Sequence, residues 1–173
     1  MAGFALVLAA CVLAASVWLW MQRAPLVLIT GGGSGPPTIV LLHGYGSNAN
    51  DWSRFEPRWQ FPGDPKRIYP QAPLRGPISG GRGWWWLQLS RYVPSGGTLP
   101  DLSTSAPGGI RVAARLVCDA LKDVRRPLIL GGFSQGAMVS AEVAFQRTDQ
   151  DLDALILLSG TPVNEQLFVR ERP

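Results

Sequence analysis

A serine flanked by two glycines is the pattern in this chain that most directly suggests chemistry. Gly132, Ser134 and Gly136 form Gly-x-Ser-x-Gly, which follows the apolar run Leu128–Leu130 and precedes a helical pattern of small residues. In such a strand–turn–helix the serine hydroxyl is held exposed, and the glycines leave room for the backbone to approach closely. We predict that Ser134 is a nucleophile and that the N–H of Gln135 faces a developing oxyanion.

A second glycine-rich turn contains His43, Gly44 and Tyr45 and follows the apolar run Thr38–Leu42. Glycines at a strand end allow the loop to carry backbone N–H groups over the edge of a sheet. The N–H of Tyr45 is therefore predicted to complete an oxyanion hole. The alternative is a plain glycine turn in which Ser134 only caps the next helix. Two strand–loop motifs in one chain disfavour that alternative.

Length and composition predict one globular domain and exclude several function classes. The chain has 173 residues, a net charge of +4, two cysteines and one histidine. This length can bury one substantial core. No stripe of basic residues interleaved with aromatics is present, so nucleic acid is not an expected partner. One histidine and two isolated cysteines provide neither a disulfide framework nor metal-ligand spacing, so no metal site is predicted.

Apolar runs alternate with amphipathic segments along the chain. The predicted strands are Leu26–Thr30, Thr38–Leu42, a strand from Ile68, Leu128–Leu130 and Ala154–Leu158. The predicted helices cover 50–60, 109–124 and 135–147. In the first helix, Trp52, Phe55 and Trp59 recur near helical spacing and are interpreted as core residues. The alternation predicts an α/β fold with a parallel sheet and reactive groups at the carboxyl ends of its strands.

Three adjacent tryptophans, Trp84, Trp85 and Trp86, lie in a glycine-rich stretch at 74–109 that has no regular pattern. A stretch of that length predicts a long functional loop. Three consecutive side chains cannot all face one core in a regular conformation. We predict that at least one is exposed to solvent and forms part of the acyl-side wall of a substrate pocket. The alternative is that all three pack beneath the loop.

The chain begins with an apolar segment at 4–21 that ends in aromatic residues. Its length is sufficient to span a bilayer, and aromatic residues favour the membrane interface. Residues 1–22 are therefore predicted to be a membrane anchor or signal segment, followed at 23–37 by a Gly/Pro linker with a leading strand. The protein would then be anchored to a membrane or exported. A true start at Met21 would instead give a cytoplasmic protein.

Four motifs resemble the phospholipase/carboxylesterase group of α/β-hydrolases, which includes small bacterial carboxylesterases and acyl-protein thioesterases. They are LLHGYGSN at 41–48, RIYPQAP at 67–73, GGFSQGAMVS at 131–140 and ALILLSGTP at 154–162. The resemblance covers roughly 38–165 and implies an α/β-hydrolase fold with a mostly parallel sheet flanked by helices. It implies Ser134 as nucleophile and an oxyanion hole formed by Tyr45 and Gln135. The expected substrates are carboxylic esters or thioesters, and no cofactor is expected.

The chain departs from that group in its leader, in its three tryptophans and in its ending. The group's base histidine and acidic residue lie on loops after two further strands. Residues 38–173 are therefore expected to be the N-terminal portion of a truncated hydrolase domain with its final strands missing. The strand at 154–158 would then be left unpaired at the edge of the sheet. The chain alone would therefore be poorly soluble or loosely folded. In the resemblance, His43 supports the oxyanion loop and is not the base.

Two functions therefore compete. The first is a serine hydrolase that acts on small-molecule esters or thioesters through an acyl-enzyme at Ser134. The second is a non-catalytic hydrolase-like binding module on a membrane anchor, because the triad aspartate and histidine are absent from the chain. A histidine and an aspartate encoded beyond Pro173 would separate the two.

Overall fold

A five-stranded sheet organises the protein in the computed structural model, which describes residues 7, 12, 25–76, 80–87, 102–103, 107–146, 152–161 and 163. The elements in chain order are β1 (Val27–Thr30), β2 (Gly35–Leu42), α1 (Ala49–Phe55), a 3-10 turn (Glu56–Arg58), β3 (Pro65–Gln71), β4 (Leu74–Arg75), β5 (Arg82–Gly83), α2 (Ile110–Leu121), β6 (Leu128–Phe133), α3 (Gln135–Gln146) and β7 (Ala154–Leu158).

The strand order of the large sheet is β1-β3-β2-β6-β7. β1 pairs antiparallel with β3, and every other neighbouring pair is parallel. Parallel neighbours require crossover connections, and α1, α2 and α3 lie in those connections. The predicted α/β-hydrolase fold, a mostly parallel sheet flanked by helices, is confirmed. β2 begins earlier than predicted because Gly35 already pairs with Pro65, before an irregularity in the register.

Alternate residues of β2 enter two separate hydrophobic cores, as the two-residue period of a strand requires. Val40 and Leu42 belong to the larger core, which contains the buried faces of α2 and α3. Ile39 and Leu41 belong to the smaller core, which contains Ala49 of α1. Helix α1 therefore covers one face of the sheet, and α2 and α3 cover the other.

The stretch predicted as a long loop contains some regular structure. β4 and β5 form a two-stranded antiparallel sheet in which Leu74 pairs with Gly83. Residues 88–101 of that stretch lie outside the described part of the chain. β7 is the last strand of the sheet among the described residues, and its side chains from Leu155 to Leu158 are 37–48% exposed. Among the described residues the sheet thus presents an apolar edge at β7, and the expected absence of further strands stays a prediction.

The apolar leader lies outside the described residues except for Val7 and Val12. The predicted anchor or signal segment therefore stays a prediction, as does the division of the chain at 22 and 37. In the ranges that the structure describes, no helix combines the length and the apolar character that crossing a membrane requires.

A carboxylate at the start of the 3-10 turn ties this turn to the sheet. Glu56 accepts hydrogen bonds from Arg67 Nε at 2.9 Å, from the Tyr69 hydroxyl and from the Gly32 N–H at 3.2 Å. Burial would raise the pKa of Glu56, but the hydrogen bonds from Tyr69, Gly32 and Arg67 outweigh it and lower that pKa. Burial of the Tyr69 hydroxyl, together with its hydrogen bond to the Glu56 carboxylate, raises the pKa of Tyr69. The cluster joins the segment after β1, the turn after α1 and strand β3.

The first prediction is that Glu56→Gln lowers the free energy of unfolding by about 2 kcal/mol at pH 7, because bonds to a charged acceptor are lost. The carboxylate stabilises the fold fully above its unfolded-state pKa of about 4.3. This contribution is lost as the pH falls through the lower folded-state pKa. Urea unfolding at pH 7 and at progressively lower pH measures both effects.

The matched control is Asp64→Asn, because Asp64 pairs with the same Arg67 at 3.5 Å but its side chain is 72% exposed, against 17% for Glu56. It should cost less than about 0.5 kcal/mol. Equal losses for the two variants, or a Glu56→Gln deficit that persists at low pH, would contradict the prediction.

Candidate active site

Ser134 occupies the sharp turn between β6 and α3. The strand ends at Phe133 and the helix begins at Gln135, so Ser134 alone connects them. Its φ is 51°, in the left-handed region that non-glycine residues rarely adopt. Strain of this kind persists only where the surrounding structure enforces it, and it is concentrated at functional sites. The N–H of Ser134 donates to the Leu158 carbonyl at 2.8 Å, which ties the turn to the end of β7.

The glycines on either side of Ser134 are required by the close approach of backbone atoms. A Cβ on Gly132 would lie 2.5 Å from the carbonyl carbon of Gly136. A Cβ on Gly136 would overlap the Leu42 carbonyl. Helix α3 is thus pressed against both β6 and the end of β2, as predicted for these two positions.

The loop after β2 lies directly beside Ser134. Leu42 pairs with Gly132 across the parallel β2–β6 ladder, so both strands deliver their following loops to the same sheet edge. A Cβ on Gly44 would lie 3.5 Å from the Ser134 Cβ. Gln135 is the first residue of α3, and the N–H groups of a first helical turn have no intrahelical acceptor. The turn therefore presents backbone donors next to the hydroxyl.

His43 is buried, and backbone groups occupy both of its ring nitrogens. Nε2 accepts a hydrogen bond from the Ala72 N–H at 3.1 Å, so Nδ1 carries the proton and donates to the Gly44 carbonyl at 2.8 Å. Burial lowers the pKa of His43 and outweighs the opposing effect of the Gly44 bond. The ring is therefore a neutral brace for the loop, with no free nitrogen to accept the proton of Ser134.

Trp84 and Trp85 together are hydrogen-bonded to both the loop after β2 and the serine turn. Nε1 of Trp84 donates to the His43 carbonyl at 2.7 Å. The Gln135 side chain accepts from the Trp84 N–H at 2.7 Å and donates to the Trp85 carbonyl at 3.0 Å. Gln135 therefore serves the site through its side chain as well, a contact that no sequence pattern predicted.

The expectation that the tryptophan trio walls the substrate pocket needs correction. Trp84 and Trp85 are 2% and 4% exposed and belong to the larger core. The buried Nε1 of Trp84 finds its acceptor in the His43 carbonyl. Trp86 is 59% exposed, as predicted for at least one of the three. None of them lines the cavity at Ser134.

The cavity beside Ser134 is formed instead by the loop after β2, by α1 and the 3-10 turn, and by the ends of β6 and β7. It has a volume of about 780 Å³. Its walls are largely apolar and include Trp52, Phe55, Trp59, Phe133 and Leu158. Trp52 of α1 and Trp59 after the 3-10 turn, which the sequence predicts as core residues, pack on the smaller core and also line the cavity. Their position directly after the oxyanion loop was the signal in the sequence.

Comparison with known protein families identifies the family of this chain. Residues 26–171 match the family model described as Phospholipase/Carboxylesterase. The chain belongs to this family. It is thus a carboxylesterase/thioesterase-type hydrolase by family, and the resemblance of its four motifs is confirmed. Within the described residues, no three potential metal-ligating side chains lie together.

Two solved structures are similar over most of the chain. Esterase PE8 is 30% identical over 83% of this chain and 67% of its own, with a TM-score of 0.66. The Zea mays acyl-protein thioesterase 2 is 26% identical over 87% of this chain and 69% of its own, with a TM-score of 0.60. This chain therefore spans about two thirds of each. No match among curated proteins reaches significance.

The second prediction concerns the tautomer of His43, which is the only histidine and so gives unambiguous NMR signals. Imidazole ¹⁵N spectra should show a protonated Nδ1 and an unprotonated Nε2 at neutral pH. The ring should remain neutral through the ordinary pKa of about 6.5 and titrate only at lower pH. Its neutral form stabilises the fold above pH 6.5, and that contribution is lost as the pH falls through the lowered pKa.

The unfolded chain in urea is the internal control, because its single imidazole should titrate near the ordinary value. A folded-state Nε2–H tautomer, or a folded-state pKa equal to the unfolded one, would be incompatible with the bracing role of His43.

Proposed function

We propose that Ser134 forms an acyl-enzyme with a carboxylic ester or thioester. Its Oγ would attack the substrate carbonyl carbon while the N–H groups of Tyr45 and Gln135 stabilise the resulting oxyanion. This attack forms the C–Oγ bond and passes the hydroxyl proton to a base. Collapse of the tetrahedral intermediate would then break the C–O or C–S bond to the leaving group, which takes up that proton and departs as the alcohol or thiol. Water would then hydrolyse the acyl-enzyme. The observation that carries this proposal is the left-handed backbone of Ser134 beside the oxyanion loop.

The substrate class rests on the named relatives and on the cavity. One similar protein is an esterase and another an acyl-protein thioesterase. An apolar cavity at Ser134 supports an acyl group with a hydrocarbon chain. We therefore propose esters and thioesters of such acyl groups.

The proton of Ser134 needs an acceptor, and we propose that this base is not His43. Serine acyl transfer uses an imidazole within hydrogen-bond reach of the hydroxyl. Both nitrogens of the single imidazole in these 173 residues are bonded to backbone. Because both ring nitrogens of His43 are bonded to backbone, these residues offer no free imidazole base. A non-catalytic binding module is therefore the second candidate function.

The third prediction is that a fluorophosphonate probe labels Ser134 when imidazole is added as an external base, because the strained turn exposes the Ser134 hydroxyl beside the proposed oxyanion donors. Labelling should be detected by mass spectrometry of the modified peptide and be absent in Ser134→Ala. Ser53→Ala is the control and should leave labelling intact, since the Ser53 hydroxyl only bonds the Asn50 carbonyl of its own helix. Labelling that survives Ser134→Ala would sink the assignment, and a folded chain with an unlabelled Ser134 would favour the binding module.

The fourth prediction is that added imidazole increases p-nitrophenyl butyrate hydrolysis by the 173-residue chain. Without it, the rate should be limited to the contribution of the oxyanion hole and binding, on the order of 10³–10⁴-fold over water. The increase should exceed that seen with Ser134→Ala, which measures direct catalysis by imidazole. Ordinary enzyme rates without imidazole that disappear in His43→Gln would make His43 the base and contradict this proposal.

A further inference from the structure

We propose that the cavity at Ser134 selects substrates carrying an anionic group, a carboxylate or a phosphate, which Arg58 binds. The inference deepens the proposed function, since it takes the cavity as the substrate site of Ser134. It rests on how the charged residues around the cavity are paired, and the apolar walls supply the other half of the recognition.

Three charged side chains line this cavity, and two of them neutralise each other. Asp51 accepts hydrogen bonds from Ser47 Oγ at 2.6 Å and from the Asn48 N–H at 3.2 Å, as part of the capping box of α1. Its other oxygen pairs with Arg54 at 3.2 Å. The carboxylate is thus engaged by the start of the helix and by Arg54, and it makes no ion pair with Arg58.

Arg58 is the third charged residue of the cavity lining. No acidic group among the described residues pairs with it, and its guanidinium lies 5.7 Å from the centroid of the Phe55 ring. The neighbouring carboxylate of Glu56 is occupied by Arg67, Tyr69 and Gly32. The wall formed by α1 and the 3-10 turn therefore carries one uncompensated positive charge, which the aromatic ring helps to orient.

A guanidinium recognises planar or tetrahedral oxyanions through paired N–H donors, and this favours carboxylate and phosphate over neutral polar groups. Hydrocarbon segments suit the aromatic walls at Trp52 and Trp59. The preferred ligand is therefore an amphiphile in which an apolar chain separates the reacting carbonyl from an anion. Because Arg58 is exposed, the preference should be modest and sensitive to salt.

Equilibrium binding tests this inference without requiring turnover. The probes are octanoate, octyl phosphate and the neutral 1-octanol, with affinity measured by calorimetry on the 173-residue chain. Both anions should bind more tightly than 1-octanol at low ionic strength. Arg58→Gln should weaken octanoate binding roughly three- to fivefold and leave 1-octanol unchanged. Added NaCl should reduce the difference in affinity between octanoate and 1-octanol, because salt screens the charge of Arg58.

Two matched variants separate charge from general effects. Arg58→Lys keeps the positive charge and should retain most of the preference for octanoate. Arg115→Gln removes an exposed arginine of α2, on the opposite face of the sheet, and should change nothing. Equal affinity for octanoate and 1-octanol, or an octanoate affinity unaffected by Arg58→Gln, would overturn the anion site.

This outcome is independent of the acyl-enzyme proposal. A chain whose Ser134 is labelled by fluorophosphonate but which shows no anion preference would refute only the role of Arg58. A chain that prefers octanoate through Arg58 but whose Ser134 is never labelled would uphold the anion site and refute the acyl-enzyme.

Discussion

Parallel pairing between β2 and β6 is the constraint on which the rest of this site depends. The register that sets Leu42 opposite Gly132 brings two loops, far apart in the chain, to one edge of the sheet. Helix α3 can pack there only because Gly132 and Gly136 have no side chains. A shift of this register would separate the loop after β2 from Ser134, so the candidate site assembles only when the sheet forms in this register.

Hydrogen bonds from buried polar groups then hold the two loops in position. His43, Trp84 and Gln135 each contribute a side-chain group, and each bonds to backbone of another segment. Networks of this kind are strong in a low-dielectric interior when every member is satisfied. The His43 carbonyl also offsets the cost of burying the indole N–H of Trp84 in the larger core.

The two hydrophobic cores, one on each face of the sheet, contribute differently to the site. The larger core, under α2 and α3, contains the buried tryptophans and supports the serine turn from below. The smaller core, under α1, is shared with the cavity, so Trp52 and Trp59 both stabilise the fold and shape the site. Changes in the aromatic wall of α1 therefore affect both stability and substrate fit.

The sequence by itself determined the five strands of the large sheet, its helices, the serine turn and the glycine-rich loop after β2, because these depend on local periodicity and on glycines at specific positions. It did not indicate β4 and β5, which lie in the stretch predicted as a long loop. It also indicated the family through four motifs. Only the tertiary structure decided the roles of Trp84 and Trp85 in the core and of Trp52 and Trp59 beside the cavity. It also showed that both ring nitrogens of His43 are hydrogen-bonded. Those assignments depend on partners 29 to 51 residues away. Neither spacing nor propensity encodes such contacts, since they arise when strands pair and helices pack.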